Sequence, residues 1–141
     1  MNFARVVLAA VAALVFDGVY GFLVYGMLLV PSFAQYPGVY RSNEAGAAYL
    51  PLMFAGILVA VLVAAYIYAK GYDGGNGLAE GTRFGALLGL FMAGAFAGVN
   101  YATLNIGRRH SLEMAIAGFF EWFGIGLVIG LVYKPAAGSR R

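Results

Sequence analysis

Asp17 and Glu121 carry the chemistry of this sequence, because each lies near the middle of an apolar stretch long enough to cross a bilayer. A charge at that depth costs about 2.5–3.5 kcal/mol on insertion scales, so an intramembrane acid normally faces a bundle interior and marks function. Two ionised carboxylates repel. Brought into contact, they must hold one proton between them. Kept apart, each needs a donor such as a tyrosine, an asparagine or an indole.

Those donors are present. With the N-terminus inside, Asp17 is about fourteen residues from the inner end of its helix and Glu121 about thirteen, a matched depth at 1.5 Å per residue. Tyr20 follows Asp17 at i+3, Asn100, Tyr101 and Asn105 sit toward the outer end of another apolar stretch, and Trp122 adjoins Glu121. The expected site is a polar pocket lined by Asp17, Tyr20, Asn100, Tyr101, Asn105, Glu121 and Trp122, with further hydroxyls from Tyr25 and Thr103. A plainer reading stands beside it. An intramembrane acid can be a protonated clamp between helices, worth about 0.6–2 kcal/mol per bond, and asparagine is a common interhelical linker.

The elements that must position these groups are four apolar spans, expected over 3–30, 47–69, 84–106 and 112–132. About 20 residues cross the hydrocarbon, so each is long enough. The first is too long for a signal-peptide core and lacks a cleavage site. Residues 31–44 read as a loop with interfacial Tyr36 and Tyr40, and Pro51 falls in the first turns of the second span, where its missing N–H is tolerated. The glycine-dense segment 71–77 reads as a flexible connection, Ser111 as an N-cap of the fourth span, and 135–141 as a mobile polar tail after a single domain over 1–134. Tyr66, Tyr68 and Tyr133 read as interfacial belt residues, and His110, beside two arginines, as a solvated surface group.

Composition requires the bilayer. The chain is 62% hydrophobic and 11% charged, too apolar to cover a soluble globule. The fold class expected is therefore all-α: a polytopic, antiparallel bundle of four transmembrane helices. Basic residues set orientation. Arg5, Lys70, Arg83, Lys134, Arg140 and Arg141 on one side, against Arg41, Arg108 and Arg109 on the other, place both termini in the cytoplasm, in a bacterial inner membrane. Glycines at four-residue spacing (Gly81, Gly85, Gly89; Gly94, Gly98; Gly126, Gly130) form faces for close backbone approach. They serve packing within the chain or, through Gly85, Gly89, Gly126 and Gly130, a homodimer or a partner in a membrane complex.

Several classes find no support. There is no cysteine and one histidine, hence no thiol chemistry and no multi-histidine metal site. Phosphate loops, nucleophile elbows, HExxH and dinucleotide fingerprints are absent, and the scattered basic residues do not read as a nucleic-acid surface. No catalytic or metal-binding residue is assigned, and no cofactor is identified.

The stretches Phe16-Asp17-Gly18-Val19-Tyr20, Tyr101-Ala102-Thr103-Leu104-Asn105-Ile106 and Glu121-Trp122-Phe123-Gly124 give the chain a resemblance to a family of small bacterial four-helix membrane proteins, domain of unknown function 2177. That family has an aspartate followed three residues later by tryptophan, a Tyr-Ala-Thr-Tyr-Asp-Leu run ending the third helix, and an Asp-x-x-Trp-Gly element in the fourth. Here Tyr20 replaces the tryptophan, Asn105 stands in the place of the second acid, and Glu121 is shifted against the fourth-helix element. The relationship is that of a distant or sister family. It implies the same architecture and a polar interhelical cluster, and brings no activity.

The leading expectation is a non-enzymatic membrane protein whose bundle holds a buried acidic site for a small ligand, cation or proton, with transport, if any, performed by an oligomer. The alternatives are an accessory or structural subunit of a larger membrane complex, and a membrane enzyme acting on a lipid or isoprenoid with the two acids as acid and base.

Overall fold

The computed structural model describes residues 1–133; the tail 135–141 and the basic residues Lys134, Arg140 and Arg141 lie outside the described residues. Among the described residues all regular structure is helical. Helix α1 (Phe3–Leu23) starts at Asn2, whose side chain accepts from the Arg5 N–H at 3.2 Å, and runs into a wide π-helical turn, Val24–Leu28, closed by Leu29 N–H on Val24 O at 2.8 Å. Two short helices, α2 (Val30–Phe33) and α3 (Asn43–Ala47), occupy the segment expected to be a loop. Then come α4 (Leu50–Gly71), α5 (Gly77–Met92), a second π-helical turn (Ala93–Gly98), α6 (Val99–Thr103) and α7 (Arg108–Val132). Pro51 falls in the first turn of α4, as anticipated.

Among the described residues four stretches are long and apolar enough to cross a membrane: Phe3–Leu28, Leu50–Gly71, Gly77–Thr103 and Arg108–Val132. The last two begin earlier than hydropathy suggests. The third starts at Gly77 because Asn76 caps it, its side chain accepting from Leu78 N–H at 2.9 Å, while the Glu80 carboxylate accepts from Gly75 N–H at 2.9 Å. Two backbone N–H groups are thereby satisfied at this end. The fourth starts at Arg108. Ser111 is not its cap but lies inside the helix, its hydroxyl donating to Ala97 O at 3.3 Å.

The core is built from small side chains. Val6, Ala9, Ala10, Ala13 and Asp17 form the buried stripe of α1, spaced as one helical face. Against it lie Val61, Ala64 and Ala65 of α4, and Ile125 and Ile129 of α7. Alanine in these positions brings helix axes close and raises the number of dispersion contacts, which drives association where lipid is as apolar as the core.

Helices α5 and α7 join backbone to backbone. A Cβ at Gly81 would come within 3.0 Å of Gly130 Cα, and one at Gly89 within 2.6 Å of Phe119 O; Gly85 and Gly126 face each other so closely that neither has room for a side chain. The four glycines expected as a dimer face, Gly85, Gly89, Gly126 and Gly130, are thus buried within the chain. At Gly94 and Gly98 a Cβ would meet nothing within 4 Å, so this second pair stays open. Two tyrosines also change place. Tyr68 and Tyr133 are buried, ring centroids 5.9 Å apart, whereas Tyr66 is exposed as a belt residue would be. Tyr68 and Tyr133 lie at helix ends that converge, so their rings close the core instead of facing the interface.

Candidate functional site

Phe16 and Gly124 set the spacing between α1 and α7 at the level of the acids. The Phe16 ring occupies the place where a Gly124 side chain would be, so the two helices meet directly beside Asp17 and Glu121. A turn further along α1, the Tyr20 hydroxyl donates to Ala117 O at 2.8 Å, one helical turn before Glu121. A ring against a glycine and a hydroxyl on a carbonyl hold the register on either side of the acid pair.

Asp17 is 4% exposed and its carboxyl lies within hydrogen-bonding reach of the Glu121 carboxyl. A carboxyl-to-carboxyl hydrogen bond exists only when one partner carries the proton. The third member is Tyr25, whose hydroxyl donates to Glu121 Oε2 at 3.0 Å. Tyr25 lies in the π-helical turn Val24–Leu28, a kind of widening that often occurs at functional positions. Its ring meets that of Tyr20 edge-on at 6.2 Å.

Of the seven residues expected at the site, Asp17, Tyr20 and Glu121 come together. Tyr101 and Asn105 are exposed, and Asn100 is half-buried on α6 while the hydrogen bond of Glu121 runs to Tyr25. The reason is the second π-helical turn. Residues 99–103 follow it as a separate short helix, so regular helical spacing is not carried through to Asn100, Tyr101 and Asn105. Thr103 is also exposed and bonds to Val99 O on its own helix at 2.9 Å. Trp122, one residue from Glu121, is partly buried and packs against the apolar core.

A second polar cluster lies where the first span ends and the fourth begins. His110, expected in water, is 2% exposed. Its Nδ1 is 2.7 Å from Ser32 Oγ and its Nε2 is 2.9 Å from the Tyr40 hydroxyl. The Ser32 hydroxyl donates to Glu113, and Arg109 Nε pairs with the other Glu113 oxygen at 2.9 Å. Ser32 has one proton, given to Glu113, so in the neutral imidazole Nδ1 is the protonated nitrogen of His110 and Nε2 accepts the Tyr40 proton. Burial, and behind it the neighbouring Tyr36, pushes the Tyr40 phenol above the usual tyrosine range, which keeps it a donor. Tyr36 accepts from Gly107 N–H at 3.0 Å and its ring lies 5.0 Å from the imidazole. His110 thus becomes a buried hub because residues 32–40 fold back over it. One histidine next to two arginines gave no sign of this; the aromatic residues Phe33, Tyr36 and Tyr40 at three- and four-residue spacing were the available signal.

Between the two clusters opens a cleft of about 540 Å³. Val30, Phe33 and Pro37 give it an apolar wall, and Tyr25, Tyr40, Arg41, Ser42 and Asn43 its polar groups. Tyr25 joins the cleft to the acid pair, and Tyr40 joins it to His110. Arg41 stacks over the Tyr49 ring at 3.9 Å, which steadies the guanidinium at the rim. Among the described residues no three histidine, aspartate or glutamate side chains are grouped as a metal site. Comparisons of the chain with protein-family models, with curated proteins and with solved structures find no match.

Proposed function

We propose that this chain is a non-enzymatic integral protein of a bacterial inner membrane, an antiparallel four-helix bundle with both termini cytoplasmic. Its acid pair holds an exchangeable proton. Tyr25 carries the reading: its hydroxyl bonds to Glu121 and it also lines the outer cleft, which provides a path between the buried carboxyls and water. A proton suits the pair better than a metal cation, because two carboxyls and one phenol are few oxygens for an ion that takes six or more. Four spans are few for a transporter, so net movement of protons would require more than one copy.

The test is infrared difference spectroscopy of the reconstituted protein between acid and alkaline buffers. The protonated carboxyl should give a C=O stretch that is lost in Asp17→Asn and Glu121→Gln and displaced, not lost, in Tyr25→Phe. Identical spectra in wild type and both acid variants would refute the reading. Dye-reported proton uptake by proteoliposomes then separates a carrier from a protein that merely binds.

An accessory subunit of a larger complex is the second reading. It is supported by Gly94 and Gly98, small residues at four-residue spacing that no part of the described chain covers. A stoichiometric partner recovered with wild type and lost in Gly94→Leu would favour it.

A further inference from the structure

The outer cleft is joined to His110 by hydrogen bonds whose directions follow from a neutral imidazole, and this sets what the cleft can receive. Glu113, paired with Arg109, accepts from Ser32; Ser32 accepts from His110 Nδ1; His110 Nε2 accepts from Tyr40. With the Tyr40 proton committed to the imidazole, what its oxygen can still offer a ligand in the cleft that Tyr40 lines is acceptor capacity. A ligand at this point must bring a donor. Beside Tyr40 stands Arg41, a permanent cation, while among the described residues no aspartate or glutamate lines the cleft. The same ligand must therefore end as an anion. A carboxylic acid satisfies both demands, since it donates its O–H on arrival and leaves a single negative charge for one guanidinium. Val30, Phe33 and Pro37 add an apolar wall, and about 540 Å³ falls in the range of small-molecule sites.

We propose that the cleft between Tyr25 and Arg41 is a binding site for a carboxylic acid with an apolar body, which is held as its anion by Arg41 after giving its proton to His110 through Tyr40. In the transfer the acid O–H bond breaks as a new Tyr40 O–H forms. The original Tyr40 proton moves to His110 Nε2. The products are a carboxylate against Arg41 and an imidazolium whose Nδ1–H remains on Ser32, with Glu113 beyond it. The charged and titratable groups facing His110 among the described residues are Tyr36 and Tyr40 from the connecting segment and Arg109 and Glu113 from its own helix. The Glu113 carboxylate is the one anion among them, and it stabilises the imidazolium through Ser32. Tyr25 is part of the cleft wall, but the relay to His110 does not pass through Glu121, so it can be tested apart from the acid pair.

His110 is the one histidine of the chain, so selective ¹⁵N-histidine labelling reports on it alone. The spectrum would be recorded in lipid nanodiscs at fixed neutral pH, with oleic acid dissolved in the bilayer or benzoate added to the buffer, whose small protonated fraction is the form that donates. One of these acids should convert the neutral Nδ1–H form to imidazolium, and which one does so distinguishes a membrane source from an aqueous source. Arg41→Gln should weaken the response about tenfold or more, with Arg41→Lys between it and wild type. Tyr40→Phe should keep binding, seen by isothermal titration, yet leave His110 neutral. Glu121→Gln should respond like wild type even if the acid-pair reading fails. No response to either acid, an unchanged response in Arg41→Gln, or conversion of His110 in Tyr40→Phe would each overturn the proposal.

Discussion

Gly85→Ala tests how the third and fourth spans are held together. A Cβ at this position would run into the Phe123 carbonyl oxygen and lie 3.0 Å from the Phe123 carbonyl carbon and 3.1 Å from its Cα. Carbon atoms in contact sit about 3.5–4.0 Å apart, so the helices must part by about 0.5–1 Å. A side chain can swing aside; backbone cannot. The shift spreads along the seam, where Gly77, Gly81 and Gly89 also approach α7 closely. Overpacking costs about 1–3 kcal/mol, and a rigid contact places this variant at the upper end. The helix preference of alanine over glycine returns about 0.5–1 kcal/mol, leaving a net loss of about 2 kcal/mol. Gly94→Ala, with nothing within 4 Å, keeps only the gain. The two variants should differ by about 3 kcal/mol, on the order of a hundredfold in the unfolding constant. Reversible unfolding by dodecyl sulfate in mixed micelles, followed by fluorescence of the one tryptophan, Trp122, against the core, measures the difference. Equal stability of the two variants would refute the seam. A Gly85→Ala loss that vanished at low protein concentration would show that the glycines act between copies.

Other substitutions probe the two polar clusters. His110→Ala leaves Ser32 and Tyr40 without their shared partner and opens a buried space, at a cost of about 2–4 kcal/mol; hydrogen exchange should speed up over residues 31–42 and not over α4. Asn100→Leu and Asn105→Leu should leave the carboxyl infrared signal unchanged, since neither side chain bonds to the acid pair; its loss in either variant would return them to the site. The raised Tyr40 phenol means that its contribution to stability is fully present below about pH 10 and is lost as pH rises through the higher folded value. Tyr40→Phe should therefore delay the alkaline loss of stability in a denaturation series, and an unaltered alkaline limb would count against the burial of this hydroxyl.

That Asp17 and Glu121 come together was legible because carboxylates in hydrocarbon have few tolerable surroundings, and matched depth in two helices made contact geometrically easy. On regular helical spacing Asn100, Tyr101 and Asn105 are equally good partners. Two π-helical turns changed the outcome: one lies where Tyr25 reaches Glu121, and the other interrupts the third span before Asn100. A single wide turn rotates everything after it, and nothing local in Ala93–Gly98 announces it, since alanine and glycine fit either helix type.

The sequence by itself determined the bilayer as solvent, the four helices and the stripe of small residues that joins them, because these follow from hydropathy, length and periodicity along one chain. Only the tertiary structure decided which residues meet. His110 shows the difference most plainly: its neighbours Arg108 and Arg109 suggest water, yet residues 32–40, some seventy positions earlier, cover it and supply both of its hydrogen bonds. Burial is a property of what folds back over a residue, and the pairing of distant segments is set by packing that no local pattern records.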